Sequence, residues 1–448
     1  MAADDAGGAN GMAGAGGANG AGGAGGGNGI AGTGGADAAG NAGGAEYAGG
    51  ADGADAILKI RGLEVAFKTT AGTVRAVRGI DLDLRRGQTF AIVGESGSGK
   101  SVAAKAIVGI RARNQSVTAG TVEYAGAGAG ALAASAARKA GRAGGGAGQN
   151  ACSDTSQGAG QNAGRAASID LLRLSERDMR RNINGRRISM IFQDPMTSLN
   201  PTMPIGRQIM EPMLLHSRAS GISRGEARAK ALRLLELAGI PDPAGCLRAY
   251  PHQLSGGMRQ RAVISVALAC DPEILICDEP TTALDVTIQE KILRLIKDIQ
   301  RRTGICVVYI THDLGVVAKV ADMVAVMYAG RIVESGTAEE IFYDPRHPYT
   351  WGLLLAVPDM NASGERLHAI RGNPPNLLHG IEGDAFAPRS PHALKIDARR
   401  APPLYQISPT HFARSWLLHE NARPPEMPGE LRARIDGMIA QALADARH

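Results

Sequence analysis

Between Ile57 and Leu84, apolar residues recur at about every second position, which is the spacing of a strand with one buried face. They fall into two groups: Leu58, Ile60, Leu63, Val65 and Phe67, then Val74, Ala76, Ile80, Leu82 and Leu84. Because side chains alternate between the two faces of a strand, this pattern predicts antiparallel strands that lead to a turn at Gly87.

Short, continuously apolar runs follow, and segments with helical spacing separate them. The apolar runs are Phe90–Val93, Ile188–Phe192, Glu273–Glu279 and Ile305–Ile310. The helical segments are Ser101–Ile110, residues 205–250, the stretch from Gln260 to Ala269, and Ile288–Ile299. Within residues 205–250, Ser223 and Glu226 predict a capping box, with a helix that runs to Leu237 and ends at Gly239. Strands that alternate with helices predict an α/β fold with a largely parallel sheet.

Stretches of biased composition flank and interrupt this pattern. Residues 1–55 are almost wholly Gly, Ala, Asn and Asp, and residues 125–167 return to Gly, Ala, Ser and Gln. Since neither stretch has enough apolar side chains to form a core, we expect a disordered tail and a disordered, solvent-exposed insertion. The folded domain is therefore expected at residues 56–345, with that insertion inside it.

The end of the chain is different again. Residues 346–428 form a Pro-rich extension, and residues 429–448 are predicted to form an amphipathic helix. The apolar residues that keep helical spacing there are Leu431, Ile435, Met438, Ile439 and Leu443.

Charge and cysteine content narrow the class of protein. The 448-residue chain has a formal net charge of +6, but residues 1–55 hold six acidic and no basic side chains, so the remainder carries about +12. This excess would suit an anionic membrane surface or nucleic acid, but a mildly basic solvated surface is the favoured explanation. The five cysteines have no metal-binding spacing and predict reduced thiols in a cytosolic protein. No apolar run approaches the length of a membrane span, and no signal peptide is evident.

The segment Gly94–Ser101 reads GESGSGKS and lies between a predicted strand and a predicted helix. This is the phosphate-binding loop pattern, in which glycines let the backbone turn several N–H groups toward a polyanion. Lys100 is expected to reach the terminal phosphates, and the Ser101 hydroxyl to bind Mg²⁺. The residues predicted to bind ATP here are Gly94, Ser96, Gly97, Gly99, Lys100, Ser101 and Val102.

Carboxylate, amide and imidazole side chains follow the apolar strands. Asp278 ends a buried strand and is expected to hold Mg²⁺, and Glu279 is expected to act as general base toward the attacking water. Gln193 and His312 also end strands, where they are expected to contact Mg²⁺ and water, and the γ-phosphate, respectively. Taken singly, Gln193 is equally a surface amide and His312 a structural histidine.

Residues 254–260 read LSGGMRQ and open a predicted helix, which offers a second phosphate-binding site in one chain. Because one nucleotide already has its loop, this segment is expected to cover the nucleotide of a partner chain. The order of phosphate loop, Gln193, LSGGMRQ, Asp278–Glu279, Asp285 in TALD and His312 resembles the ATPase cassette of ABC transporters.

That resemblance implies two cassettes that close head to tail over two ATP molecules. Ser255, Gly256, Gly257 and Gln260 would then contact the partner's ATP, and Asp285 would belong to the D-loop at the interface. Phe67 matches the aromatic residue that stacks on adenine, although a core phenylalanine is an equal explanation. The implied fold is a RecA-like core with an antiparallel β subdomain and a helical subdomain at residues 195–260.

Over about residues 57–420, the chain resembles more specifically the ATPase subunits of oligopeptide and dipeptide permeases, of which nickel importers are close relatives. It rests on FQDPMTSLNP (192–201), YPHQLSGGMRQR (250–261), DEPTTALDVT (278–287), HPYTWGLL (347–354) and RGNPPNLL (371–378). The resemblance implies a peripheral subunit at the cytoplasmic face of the inner membrane. Its expected partners are a second cassette, two permease subunits and, through them, an extracytoplasmic binding protein, with no nucleic acid.

The chain departs from this family at four C-terminal positions that commonly carry cysteines for an iron–sulfur cluster. Those positions are Asp384, Ser390, Asp397 and Ser415. Because such clusters are held by thiolates, no iron–sulfur cluster is expected, and the extension is expected to be held by packing alone. The other hypotheses are an importer of nickel or another small solute, a soluble ABC ATPase acting on nucleic acid or ribosomes, and a non-catalytic regulatory cassette.

Overall fold

We describe the protein from a computed structural model, which describes residues 56–143, 167–194, 198–216, 221–281, 286–357, 369–423 and 425–445. The predicted disordered tail at residues 1–55 lies outside these residues, as does most of the predicted insertion. Asp285 also lies outside them.

The first sheet is antiparallel and has four strands in the spatial order β2-β1-β4-β5. Its strands are β1 (Ala56–Thr69), β2 (Gly72–Arg85), β4 (Gln115–Tyr124) and β5 (Ile169–Asp170). In the β1–β2 hairpin, Leu58 pairs with Leu84 and Ile60 with Leu82, and all four side chains are buried. The alternating apolar pattern therefore predicted this hairpin correctly.

The second sheet has eight strands in the order β11-β12-β10-β9-β3-β8-β7-β6. Its strands are β3 (Thr89–Val93), β6 (Ile188–Ile191), β7 (Ile274–Asp278), β8 (Cys306–Thr311), β9 (Met323–Tyr328), β10 (Arg331–Thr337), β11 (Tyr405–Gln406) and β12 (Phe412–Ala413). The five central strands, from β9 to β6, are parallel, whereas β10, β11 and β12 add an antiparallel edge. The predicted α/β fold with a largely parallel sheet is confirmed.

Eleven regular helices are found among the described residues. They are α1 (Lys100–Ile107), α2 (Ala129–Ala143), α3 (Ile205–Leu215), α4 (Arg224–Leu237), α5 (Pro243–Arg248), α6 (Gly256–Ala267), α7 (Val286–Thr303), α8 (Leu314–Val320), α9 (Ala338–Tyr343), α10 (Pro348–Ala356) and α11 (Gly429–Asp445). Short turns of helix also occur at Leu171–Arg173, Glu176–Asp178, Met179–Ile183, Pro251–Gln253, Ala387–Arg389 and Trp416–Leu418.

The second sheet lies between two hydrophobic cores, and successive residues of its strands face opposite cores. On β3, Phe90 and Ile92 pack into the core shared with the first sheet and α1, whereas Ala91 and Val93 pack into the core shared with the helices. Strands buried on both faces read as continuous apolar runs, which explains the sequence pattern of β3 and β7.

The range predicted as a helical subdomain, residues 195–260, contains α3 to α5 and the first turn of α6. The capping box is present, because the Ser223 hydroxyl accepts from the Glu226 N–H and the Glu226 carboxylate accepts from the Ser223 N–H. Gly239 follows the end of α4 with a φ of +71°, as a helix-terminating glycine requires.

One expectation is wrong in part. The predicted disordered insertion begins at residue 125, but α2 occupies Ala129–Ala143. Alanine has the highest helix propensity of all residues, so an Ala-rich segment favours a helix. The remainder, residues 144–166, lies outside the described part of the chain.

The C-terminal extension joins the second sheet through β12, which pairs with β10. Its attachment centres on Glu334, a fully buried carboxylate that accepts from the backbone N–H groups of Arg346 and His347, from Thr350 and from His411. The extension is therefore held by buried hydrogen bonds as well as by packing, which corrects the expectation of packing alone.

Helix α11 lies against the core through part of the predicted apolar set, and the predicted position Leu443 lies outside the described side chains. Leu431 and Ile435 are buried and Met438 packs against the same core, whereas Ile439 is exposed.

Candidate functional site

The parallel strands place the predicted catalytic groups at one edge of the second sheet. Strand β3 lies between β8 and β9, and β7 lies between β6 and β8. Since ligands bind outside the carboxyl ends of parallel strands, the segments that follow β3, β6, β7 and β8 form a common site. These segments carry the phosphate loop, Gln193, Glu279 and His312, respectively.

The phosphate loop has a backbone that only glycine allows at two positions. Gly94 has a φ of +150°, and a Cβ there would lie 2.1 Å from the carbonyl oxygen of Met327. Gly99 has a φ of +103°, and its Cβ would lie 2.4 Å from the carbonyl oxygen of Ala76. The glycine spacing is therefore required by close backbone contacts as well as by the curvature of the loop.

Lys100 is folded back into this loop and is 5% exposed. Its Nζ donates to the carbonyl oxygens of Gly94 (2.7 Å) and Glu95 (2.8 Å) and to the Ser98 hydroxyl (3.4 Å). Burial lowers the pKa of Lys100, and the nearby carboxylates of Glu279 and Asp278 oppose that shift. The ammonium group thus lies at the point where a triphosphate would replace carbonyl oxygens as its acceptor.

Ser101 and Asp278 meet as a pair, with the Ser101 hydroxyl donating to Asp278 Oδ1 at 2.7 Å. Asp278 is fully buried, and its Oδ2 has no hydrogen-bond partner among the described residues. Burial raises the pKa of Asp278, and the bond from Ser101 opposes the rise. A hydroxyl beside a buried carboxylate oxygen without a partner fits a small hard cation.

In the described part of the chain, no group of three or more His, Cys, Asp or Glu side chains could hold a metal ion. Mg²⁺ at a nucleotide site does not need such a group, because one or two protein oxygens act together with phosphate oxygens and water. The Ser101–Asp278 pair is consistent with that kind of site.

Glu279 contacts both other predicted catalytic residues. Its carboxylate accepts from Gln193 Nε2 at 3.3 Å and lies 3.1 Å from His312 Nδ1. Its side chain is 13% exposed, whereas that of His312 is 61% exposed. The structure therefore brings together Glu279, Gln193 and His312, which are separated by up to 119 positions in the sequence.

The backbone of Glu279 is unusual for a residue with a side chain. Its φ is +48°, and its N–H donates to the carbonyl oxygen of Ile310 at 2.9 Å. A non-glycine residue in this region costs about 1–3 kcal/mol, and such strain is concentrated at functional sites. The β7–β8 hydrogen bond holds this conformation and aims the carboxylate at the site.

The LSGGMRQ segment forms the predicted helix start. Ser255 is exposed and caps α6, because its hydroxyl accepts from the Met258 N–H at 3.4 Å. A Cβ on Gly256 would meet nothing within 4 Å, so the space beside this residue is open. Gly257 lies against α7, where a Cβ would be 3.3 Å from Ile288. The role of these three residues toward a partner's ATP stays a prediction.

Gln260 differs from the other residues of that segment. It is 1% exposed and neither its Oε1 nor its Nε2 has a hydrogen-bond partner among the described residues. Helical geometry places it on the inner face of α6, more than one turn from the cap, and its role toward a partner's ATP stays a prediction.

Phe67 and Val102 are half-buried and pack against the core shared with the first sheet. Phe67 stands near the end of β1, opposite Val74 and Gln115. Packing of its ring and stacking on adenine both remain compatible with this position.

Two residues of the C-terminal extension contact the phosphate loop, and neither contact was predicted from the sequence. Arg389, in the C-terminal extension, forms a bidentate ion pair with Glu95 at 2.6 and 2.9 Å, and Tyr349 Oη accepts from the Glu95 N–H at 2.8 Å. Local periodicity carries no information about partners 254 and 294 residues apart.

At the four positions where the family commonly carries iron–sulfur cysteines, each side chain accepts a hydrogen bond from a nearby backbone N–H. Asp384, Ser390, Asp397 and Ser415 accept from the N–H groups two or three residues away, at Phe386, His392, Leu394 and Leu417. Burial raises the pKa of Asp397. These side chains therefore act as local caps of turns in the extension.

Residues 77–282 match the ABC transporter family, residues 333–396 match the oligopeptide/dipeptide transporter C-terminal region, and residues 248–318 match an AAA domain family described as putative AbiEii toxin, Type IV TA system.

Two curated relatives illustrate the similarity over the whole chain. The dipeptide transport ATP-binding protein DppD of Lactococcus lactis subsp. cremoris is 49% identical over 368 residues, which are 82% of this chain and 93% of the relative. The oligopeptide transport ATP-binding protein OppD of Bacillus subtilis is 47% identical over 381 residues, 85% of this chain and 94% of the relative. Among solved structures, the dimeric bacterial ABC transporter cassette MJ0796 is 24% identical, covers 63% of this chain and 98% of its own, and has a TM-score of 0.48.

Proposed function

This chain belongs to the family of ABC transporter ATP-binding proteins that carry the oligopeptide/dipeptide transporter C-terminal region, and on that premise we propose that it hydrolyses ATP to drive peptide import. The observation that carries the proposal is the meeting of Glu279, Gln193 and His312 beside the Ser101–Asp278 pair. The names of the relatives supply the peptide class of substrate.

In the proposed reaction, the loop N–H groups and Lys100 bind the phosphates of ATP. Glu279 orients a water molecule and takes its proton as the water oxygen attacks the γ-phosphorus and the bond to the β–γ bridging oxygen breaks. Gln193 and His312 fix the Glu279 carboxylate and contact the water and the γ-phosphate. Ser101 and Asp278 would hold Mg²⁺, which supplies charge neutralisation along the phosphates.

A second cassette is part of the proposal, because the exposed Ser255 cap lies at a helix start with open space at Gly256. We propose head-to-tail closure with this partner, attachment to two permease subunits at the cytoplasmic face of the inner membrane, and supply of substrate by an extracytoplasmic binding protein. No described helix is both long and apolar enough to cross a membrane. Membrane attachment would therefore rest on contacts with the permeases.

The test of the chemistry is Glu279→Gln in the assembled complex, with Glu290→Gln as a matched control. Glu290 lies on α7 and pairs with Arg294 one helical turn away. We expect Glu279→Gln to lower kcat for ATP by about 10²–10⁴-fold while ATP binding persists. Unchanged hydrolysis in Glu279→Gln would rule out Glu279 as the base.

The test of transport is purification of the tagged chain from gently solubilised native membranes. We expect two polytopic permeases and a second ATPase, and ATP-dependent uptake of labelled di- and oligopeptides after reconstitution. Co-purification with ribosomes or nucleic acid would contradict transport, and uptake of Ni²⁺ without peptide uptake would contradict the substrate class.

A further inference from the structure

Glu95 is the second residue of the phosphate loop, and its carboxylate is held by the C-terminal extension. Arg389 Nη1 and Nη2 donate to Glu95 Oε2 and Oε1 at 2.6 and 2.9 Å, which is the bidentate geometry of a strong ion pair. The Arg389 side chain is 5% exposed and that of Glu95 is 26% exposed. The pair is thus largely withdrawn from water, where ion pairs are weakened least by salt.

The guanidinium group of Arg389 is itself fixed from several sides. It lies 5.7 Å from the centre of the Tyr328 ring and 6.0 Å from that of Phe386, and its Nε donates to the carbonyl oxygen of Arg371 at 2.9 Å. Nη1 also donates to Tyr328 Oη at 3.3 Å. A side chain held this way presents a fixed anchor to Glu95.

The backbone of Glu95 is held as well. Its N–H donates to Oη of the fully buried Tyr349, and its carbonyl oxygen accepts from Lys100. Glu95, whose carbonyl oxygen and that of Gly94 accept from Lys100, is therefore held by Tyr349 of α10 and by Arg389 farther along the extension.

We propose that Arg389 and Tyr349 are positioning residues of the nucleotide site, and that the C-terminal extension tunes ATP affinity through them. An ordered loop loses less conformational freedom when it binds phosphates, so anchoring strengthens binding. Pairing with Arg389 also neutralises a carboxylate that adjoins the exposed part of the loop and would repel a polyanion.

This inference rests on ATP binding at the loop, and the experiment separates the two claims. The full chain carries Arg389→Gln, Arg389→Lys or Tyr349→Phe, and the readouts are the Kd for ATP, KM and kcat for ATP, and the thermal midpoint. Arg434→Gln is the matched control, because Arg434 donates to the carbonyl oxygens of Leu354 and Val357 at 2.8 and 2.6 Å and so stabilises the same extension without touching the loop.

We expect Arg389→Gln to raise the Kd and KM for ATP roughly 5- to 150-fold, the usual range of coupling between sites, with a much smaller change in kcat. Arg389→Lys should raise the Kd for ATP by an intermediate amount. Lysine keeps the positive charge but cannot donate the two parallel hydrogen bonds of the guanidinium group. The double variant Glu95→Gln/Arg389→Gln should lose less free energy of ATP binding than the sum of the losses in the two single variants. Both single changes remove the same ion pair, so the second change has no pair left to remove.

Arg434→Gln should lower the thermal midpoint and leave the Kd for ATP unchanged. Wild-type affinity in Arg389→Gln and Tyr349→Phe would overturn the inference, and so would an equal loss of affinity in Arg434→Gln. Failure of the wild-type chain to bind ATP would instead contradict the proposed function.

Discussion

Replacing Glu334 with alanine should separate the C-terminal extension from the sheet. This carboxylate is fully buried and has four partners: the Arg346 N–H at 2.6 Å, the His347 N–H at 3.0 Å, the Thr350 hydroxyl and His411 Nε2 at 2.8 Å. Each buried donor left without a partner costs about 1–3 kcal/mol. Because relaxation makes these costs less than additive, we expect a loss of about 3–5 kcal/mol in the free energy of unfolding.

Glu334→Gln is the more discriminating variant. If its amide oxygen takes the place of Oε2, the bonds from His347 and Thr350 persist, but the amide nitrogen then faces the Arg346 N–H, which has no acceptor left. A neutral His411 can accept from that nitrogen, because the proton position on the ring adapts. We therefore expect an intermediate loss of about 1–3 kcal/mol, the cost of one unsatisfied donor.

The measurement is urea unfolding followed by circular dichroism, with limited proteolysis to locate the region that opens first. Glu339→Ala is the control, because Glu339 is exposed and close by in the chain, and it should stay within about 0.5 kcal/mol of the wild type. If Glu334→Ala unfolded within about 1 kcal/mol of the wild type, the accounting of buried donors would be refuted. If the protease cut the helical subdomain earlier than the extension, the conclusion that the extension opens first would be wrong.

Three further predictions concern the nucleotide site and its sheet. Gly94→Ala should abolish ATP binding measured by titration, because its Cβ would lie 2.1 Å from a backbone oxygen, and tight binding by this variant would contradict that geometry. Ser101→Ala should raise the Mg²⁺ concentration for half-maximal hydrolysis roughly tenfold, as expected for one lost oxygen ligand beside Asp278, and an unchanged Mg²⁺ dependence would exclude Ser101 as a ligand. Cys277 and Cys306 should resist thiol reagents at pH 8 until the chain unfolds, since burial raises the pKa of Cys306 to about 12 and that of Cys277 further, and fast labelling of the native chain would contradict their burial.

Much of the nucleotide site was predictable because its residues lie in continuous segments. Gly94–Ser101 follows β3, and the Asp278–Glu279 pair lies at the end of β7. The apolar pattern therefore predicted correctly that these functional residues lie at strand ends. Parallel pairing then brings those ends to one edge of the sheet, which is a property of topology and not of individual residues. Gln193 and His312 also follow strands, but only the order of the motifs along the chain predicted their roles.

The failures arose where composition or local spacing was ambiguous. Residues 125–143 read as a disordered insertion because glycine and small polar residues surround them, yet the alanines in α2 favour helix locally. The burial of Gln260 was also not predicted, because Gln260 was grouped with its neighbours in LSGGMRQ, whereas a helix turns by 100° per residue and carries position 260 to the buried face.

Local sequence patterns could not predict the contacts made by the C-terminal extension. These contacts change the description of the chain's domains. An extension that adds β12 to the sheet and Arg389 to the phosphate loop is part of the ATPase, whereas its Pro-rich composition suggests an appendage. Because coupling free energies are reciprocal, we expect bound ATP to strengthen the attachment of Arg389 and Tyr349 to the loop by the same factor by which that attachment strengthens ATP binding. The buried Glu334 cluster and the Glu95–Arg389 pair thus stabilise one arrangement from its two ends, one at the sheet edge and one at the nucleotide.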